Sequence, residues 1–185
     1  MSVGVVASPD YLFAETDDPD TVFPREVMRC QPLSERLASA DRVAPVRGMP
    51  HLAYLNRKTC GDGWVMVGDA RAFLDPIYSS GLFLALTSAE LAAGCIHHAL
   101  EADDVSAARL GAFEPALAAG VEVFWRLVRA FYNETFSFRE FVQRFPDQRA
   151  ALIDCLVGDI VGKDMRPFLA ALAQMADPPP PLVSA

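Results

Sequence analysis

Short apolar runs broken by proline and glycine fill the first part of the chain, and helical spacing takes over near residue 80. VGVVA (3–7) is a β-branched run that reads as a strand continuing a larger sheet. Residues 8–20, SPDYLFAETDDPD, read as a polar loop. Asp20 or Thr21 then caps a helix over TVFPREVMRC, and a second short helix follows Pro32. Residues 42–60 are strand-like, but Pro45 and Pro50 confine them to edges or bulges. GDG (61–63) marks a turn, and WVMVGDA (64–70) is an apolar strand running into Gly-Asp.

Residues 81–100 are apolar, interrupted by Thr87, Ser88, Glu90 and two histidines, and predict a buried helix rather than a membrane span. Asp103 or Asp104 caps a long helical segment from about 105 to 133, and shorter helices are expected at 138–144, 147–158 and 164–176. The fold class expected is α+β and predominantly helical, a few strands in the first 70 residues and mostly helix afterwards, and the sheet is expected to be incomplete, because a lone strand such as WVMV cannot satisfy its backbone without partners. The division expected is a strand-rich region at 1–80, a helical region at 81–176 and a Pro-rich tail at 177–185.

Composition narrows the function. Of 185 residues, 52% are apolar and 22% charged, which excludes a disordered chain. A net charge of −8 argues against nucleic acid or an anionic membrane as partner. Cys30, Cys60, Cys95 and Cys155 are widely spaced, as expected of reduced thiols in a cytoplasmic protein. Cys95 with His98 is the one hint of a metal site, and two ligands do not close one, so core packing is the reading kept. Arg47, Arg57 and Lys58 read as a solvated face, and the aromatic residues between Phe124 and Phe145 as helical core with one or two lining a pocket.

The stretch that carries chemistry is GDARAFLDPIYSSGLFLAL, residues 68–86. A helix starting at Ser80 or Gly81 offers unpaired amides and a partial positive charge, and Gly81 leaves room for close approach. Ser79 and Ser80 supply caps or hydroxyl donors. Asp69, after a buried strand, is suited to accept hydrogen bonds from a sugar-like hydroxyl, and Asp75-Pro76 stiffens the turn between. An ordinary strand–loop–helix connection, with Asp75 or Ser79 as caps, reads equally well on spacing alone.

The run W-V-M-V-G-D-A-x-x-F-x-D-P-x-x-S-S-G-x-x-x-A-L resembles the third FAD-contacting motif of the flavin-dependent halogenases and related FAD-dependent aromatic monooxygenases. The resemblance implies the C-terminal part of a Rossmann-like, glutathione-reductase-type FAD fold. It implies that Gly68 and Asp69 hold the ribityl chain, and that Asp75, Pro76, Ser79, Ser80, Gly81 and Leu82 flank the flavin ring. Ser80 and Gly81 match the positions that hold chloride or bromide in halogenases. Tyr78 stands where the tryptophan-type enzymes have a glutamate, a departure toward the phenol- or pyrrole-type branch, whose aromatic substrates are often attached to a carrier protein.

The family's N-terminal G-x-G-x-x-G turn, its W-x-W-x-I-P motif and its lysine have no counterpart in the sequence. No catalytic residue is therefore assigned. The expectation is a chain that binds FAD weakly or not at all by itself and depends on a missing N-terminal half and a flavin reductase. A fragment of an aromatic hydroxylase and a non-catalytic binding remnant are the other readings. No secretory leader is recognised in MSVGVVASPDYLF.

Overall fold

Proline and short polar caps set the helix starts in the N-terminal residues. The computed structural model describes residues 2–49 and 52–179, so Pro50, His51 and the end of the Pro-rich tail lie outside the described residues. The chain divides into two compact units between residues 51 and 52.

In the first unit, α1 (Pro9–Leu12) is capped by Ser8, and α2 (Pro19–Arg29) by Asp18, with a proline at each first turn. α3 (Gln31–Leu37) carries Pro32 in its first turn. The expected loop at 8–20 thus contains a helical turn, and the cap is Asp18, not Asp20 or Thr21, because Pro19 is preorganised for the first helical position. The strand expected at 3–7 is absent: Val5 and Val6 are exposed and their run has no ladder partner among the described residues. Polar contacts tie α1 to α2. The Tyr11 hydroxyl donates to Glu26 at 2.9 Å, and Arg25 donates to the Leu12 carbonyl at 2.7 Å.

In the second unit, β1 (Tyr54–Leu55) is followed by a hairpin of β2 (Cys60–Gly61) and β3 (Trp64–Val65). The Asp62-Gly63 turn joins them, with Gly63 at φ 78°. A 3-10 turn, Gly68–Ala70, leads to β4 (Ala72–Phe73), which pairs antiparallel with β1. The expected strand at 64–70 is therefore cut short. Gly68 takes φ 55°, which ends extended backbone and starts the 3-10 turn. Likewise, among the described residues of 42–60, only Tyr54, Leu55 and Cys60 are strand.

Helices fill the remainder: α4 (Gly81–Glu101), α5 (Ala107–Leu110), α6 (Glu114–Phe131), α7 (Phe138–Arg144), α8 (Arg149–Val157) and α9 (Arg166–Leu172). The single helix expected over 105–133 is two helices. Pro115 has no N–H to continue the first, and a Cβ at Gly111 would come within 2.5 Å of the Cys60 sulfur. α6 is the centre of the core, burying Leu117, Val121, Phe124 and Leu127 against Phe141, Ile160 and Phe168. The aromatic run packs into that core by edge-on and tilted ring pairs, Phe141 on Phe168 at 5.6 Å among them. The architecture is about half helical with two small sheets, an α+β arrangement dominated by helices.

α4 is not the buried helix its hydropathy predicts. Only Ser88, Ala92 and Ala99 are buried, while Leu82, Leu86 and Leu100 are 72%, 64% and 65% exposed. Phe83, Leu84, Leu91 and Cys95 pack against the core, and the 3-10 turn and α5 lie along the helix, which leaves the Leu82, Leu86 and Leu100 side uncovered by the described residues. By length and composition alone, α4 is apolar enough to cross a membrane.

Candidate functional site

Two tight turns arrange the 68–86 segment. In the second, Ile77 N donates to Asp75 Oδ1 at 2.8 Å and Ser79 N to the Pro76 carbonyl at 3.0 Å. Ser79 then sits at φ 53° and delivers the chain into α4. Ser80 occupies the cap position without a side-chain cap bond, and its carbonyl accepts the first helical bond, from Leu84 N at 2.9 Å. The first-turn amides thus lack both an intrahelical acceptor and a cap, at the positive end of the helix. A Cβ placed on Gly81 would meet nothing within 4 Å, so the space beside its Cα is open. Ser80 is buried beneath them, and Ser79, Pro76 and Leu82 are exposed around them.

The first turn is held on three sides. Gly68 N donates to the Ser88 hydroxyl of α4 at 2.9 Å, and that hydroxyl donates to the Ala85 carbonyl at 2.9 Å. From β1 and its flank, the Tyr54 hydroxyl donates to the Asp69 carbonyl at 2.7 Å, and Asn56 Nδ2 to the Ala70 carbonyl at 2.6 Å. Asn56 N donates to the Arg71 carbonyl at 2.9 Å. Three successive carbonyls are fixed, so the position of Asp69 is fixed with them, and Asp69 is exposed. Close packing demands glycine before it: a Cβ on Gly68 would press on the Ala85 methyl at 3.1 Å. Ala85 and Ser88 lie four and seven residues past Gly81, roughly 6–10 Å along the helix axis.

Asp75 has other employment. Its carboxylate accepts from Ile77 N and from the Tyr132 hydroxyl at 3.1 and 3.2 Å, joining the loop to the end of α6. Partial burial, then the Asp75 charge and this hydrogen bond, push the Tyr132 phenol up to about 12. Burial and the same carboxylate push the Tyr78 phenol up as well, and both hold a proton at neutral pH.

One supporting pair was not expected from sequence. Arg71, two residues after Asp69, is buried and donates from Nε to both oxygens of Glu114 at 3.1 and 3.0 Å, and from Nη2 at 2.8 Å. Glu114 lies in the first turn of α6, so the pair pins the 68–71 turn to the core helix. The available signal was an arginine set immediately after Gly-Asp-Ala in an otherwise apolar stretch.

The donor set fits an anion or an electron-rich ring edge at the α4 start and a polyol hydroxyl at Asp69. The ribityl chain and ring edge of FAD are one ligand of that chemistry. The glycine-rich strand–turn–helix that would cradle its pyrophosphate has no counterpart in the sequence.

No family model matches the chain. A 1H-pyrrole-2-carbonyl-[peptidyl-carrier protein] chlorinase of Pseudomonas fluorescens is 30% identical over 159 residues, 86% of this chain and 35% of that protein. The corresponding brominase of Pseudoalteromonas luteoviolacea is 29% identical over 158 residues, 85% of this chain and 38% of its own length. Proteins named flavin-dependent halogenase also match, over 42% to 56% of the chain. A solved flavoprotein/dehydrogenase of Cytophaga hutchinsonii superposes with a TM-score of 0.67 at 25% identity, over 88% of this chain and 40% of that one. The chain thus spans a little over a third of the carrier-pyrrole halogenases it matches.

Proposed function

Because about 85% of the chain is homologous to a C-terminal portion of the flavin-dependent halogenases, we propose that it forms the ring-side part of an FAD-dependent halogenase acting on a carrier-bound pyrrole. The match to the carrier-pyrrole chlorinase carries this reading. The open amides at the start of α4 support it.

In this reading Asp69 accepts hydrogen bonds from the ribityl hydroxyls, its backbone held by Tyr54 and Asn56. The amides of Ser80 and Gly81 hold chloride or bromide, where a helix terminus favours an anion and the absence of a Cβ admits it. Pro76, Ser79 and Leu82 border the ring, and Asp75 shapes their loop through Ile77 and Tyr132. When bound, the flavin supplies the redox chemistry that oxidises the halide. This chain binds and orients; the electrophilic step needs groups, the family's lysine among them, that have no counterpart in this sequence.

The test supplies the preceding two-thirds of the Pseudomonas chlorinase, a flavin reductase, chloride and a pyrrolyl-carrier protein, with mass spectrometry of the product. Chloropyrrolyl-carrier protein, lost with Asp69→Ala, is the expected result. A product carrying only hydroxyl, or no product from a complex that retains flavin, overturns the halogenase reading.

A further inference from the structure

Residues 71–78 join the two ligand-facing ends of the motif, the Gly68–Ala70 turn and the start of α4, and α6 holds them at both extremities. At one extremity Arg71, 4% exposed, gives three hydrogen bonds to Glu114, the first residue of α6. The partial positive charge of a helix start favours a carboxylate there. Between the extremities, Leu74 is buried in the core cluster that contains Leu117, Val121 and Phe124 of α6. At the other extremity Asp75 accepts from Tyr132, the residue that closes α6, and Tyr78 sets its ring edge-on to Phe131 at 5.8 Å. The helix between these anchors has 18 residues, roughly 27 Å of rod. With eight of those residues buried, it is the stiffest element within reach of the motif.

Each anchor is rigidly continuous with one ligand-facing end. Arg71 N closes the 3-10 turn on the Gly68 carbonyl at 2.9 Å, so the guanidinium and the Asp69 carboxylate belong to one turn. Ile77 N and Ser79 N close the loop onto Asp75 and Pro76, which delivers Ser80 and Gly81 at a fixed place. We propose that α6 is a splint setting the spacing between the two ends. Glu114, through Arg71, is a positioning residue for the Asp69 carboxylate, and Tyr132, through Asp75, is one for the Ser80 and Gly81 amides. The ligand involved, a flavin gripped by its ribityl chain and ring edge, rests on the functional reading above; the splint itself does not. Separate side chains hold the two ends, so each can be loosened alone.

The experiment measures amide hydrogen exchange by NMR in the full chain, without ligand, for Glu114→Gln, Tyr132→Phe and the control Glu122→Gln. Glu122 pairs with Arg126 at 2.7 Å on the same helix and has no part in either anchor. Glu114→Gln is expected to speed exchange at the Gly68 and Arg71 amides about tenfold, because a charge-assisted bond is weakened, and to leave the Ile77 and Ser79 amides unchanged. Tyr132→Phe should do the reverse, speeding Ile77 and Ser79 about threefold and sparing Gly68 and Arg71. Glu122→Gln should move neither pair. A merely structural contribution would speed both pairs together, in step with the urea midpoint. That pattern, or equal rates in every variant, overturns the proposal. FAD is then titrated by fluorescence quenching into the complex with the preceding two-thirds of the Pseudomonas chlorinase. Glu114→Gln should bind it about tenfold more weakly than the parent, and Glu122→Gln equally well, since a loosened grip must be ordered on binding. Equal affinity in all three overturns the role given to Glu114. A complex that takes up no flavin, while the two ends still loosen separately, removes the functional reading alone. Flavin held by a complex whose ends loosen only together removes this proposal alone.

Discussion

α4 and α6 are the two long helices of the second unit, 21 and 18 residues, and both are rich in apolar side chains. α6 buries eight residues and α4 three. The difference is in their neighbours: α6 is wrapped by α8, α9 and the aromatic cluster, and α4 sets one flank on the 3-10 turn, α5 and the core, through Phe83, Leu84, Leu91, Ala92 and Cys95. Hydropathy therefore reports that a helix has an apolar face to hide, and says nothing of whether the same chain supplies the cover. The candidate site lies at the start of the more exposed helix.

The largest effect that sharpens this contrast is a pair of truncations. Phe124 on α6 is 1% exposed, and Phe124→Ala is expected to cost about 3–5 kcal/mol of unfolding free energy in urea titration. Leu86→Ala on α4 also cuts an apolar side chain back to the β-carbon and is expected to stay within about 0.5 kcal/mol, since its exposed side chain has no cavity to leave behind. Equal losses at the two sites would mean that the α4 face is packed in solution, and the comparison would fail.

Next in size is the pair that ties the motif turn to α6. Arg71→Ala leaves Glu114 partly buried without its bidentate partner, and a loss on the order of 3 kcal/mol is expected. Arg71→Met with Glu114→Leu removes both charges and should recover most of it. If the single and double variants are equally destabilised, packing rather than charge holds the turn, and the account of how Asp69 is positioned must change.

The parts legible in sequence are those fixed by neighbours in the chain. α7 runs over the expected residues because Ser137 caps it locally, accepting from Glu140 N at 3.4 Å. The α4 start and the Asp62-Gly63 turn were legible for the same reason. What was not legible depends on distant partners. The 3-10 turn at Gly68 needs the Ser88 hydroxyl 20 residues on, and Arg71 finds Glu114 across 43. The run at 3–7 has strand propensity and no partner, so propensity did not prevail. Within the candidate site, Ser-Ser-Gly announced the helix start, but nothing in the letters told that Asp75 would be engaged by Tyr132.

That last contact gives the smallest effect and links the two helices directly. Tyr132 follows the end of α6 and Asp75 lies in the loop before α4, so their hydrogen bond is a point where the covered helix steadies the entry to the open one. The phenol is raised from its ordinary 10 to about 12 in the fold, so folding favours the protonated form. Its contribution is complete below about pH 10 and is lost as pH rises toward 12, where ionisation would set a phenolate against the Asp75 carboxylate. Because Tyr132 is substantially exposed, solvent screens the charge and the effect is modest. Tyr132→Phe should therefore differ little from the parent in thermal melts at pH 8. Between pH 10 and 12 it should lose stability less steeply, the Tyr78 phenol being common to both. Parallel curves across that interval would show that the phenol ionises as freely in the fold as in water, and would remove this link between α6 and the loop that leads into α4.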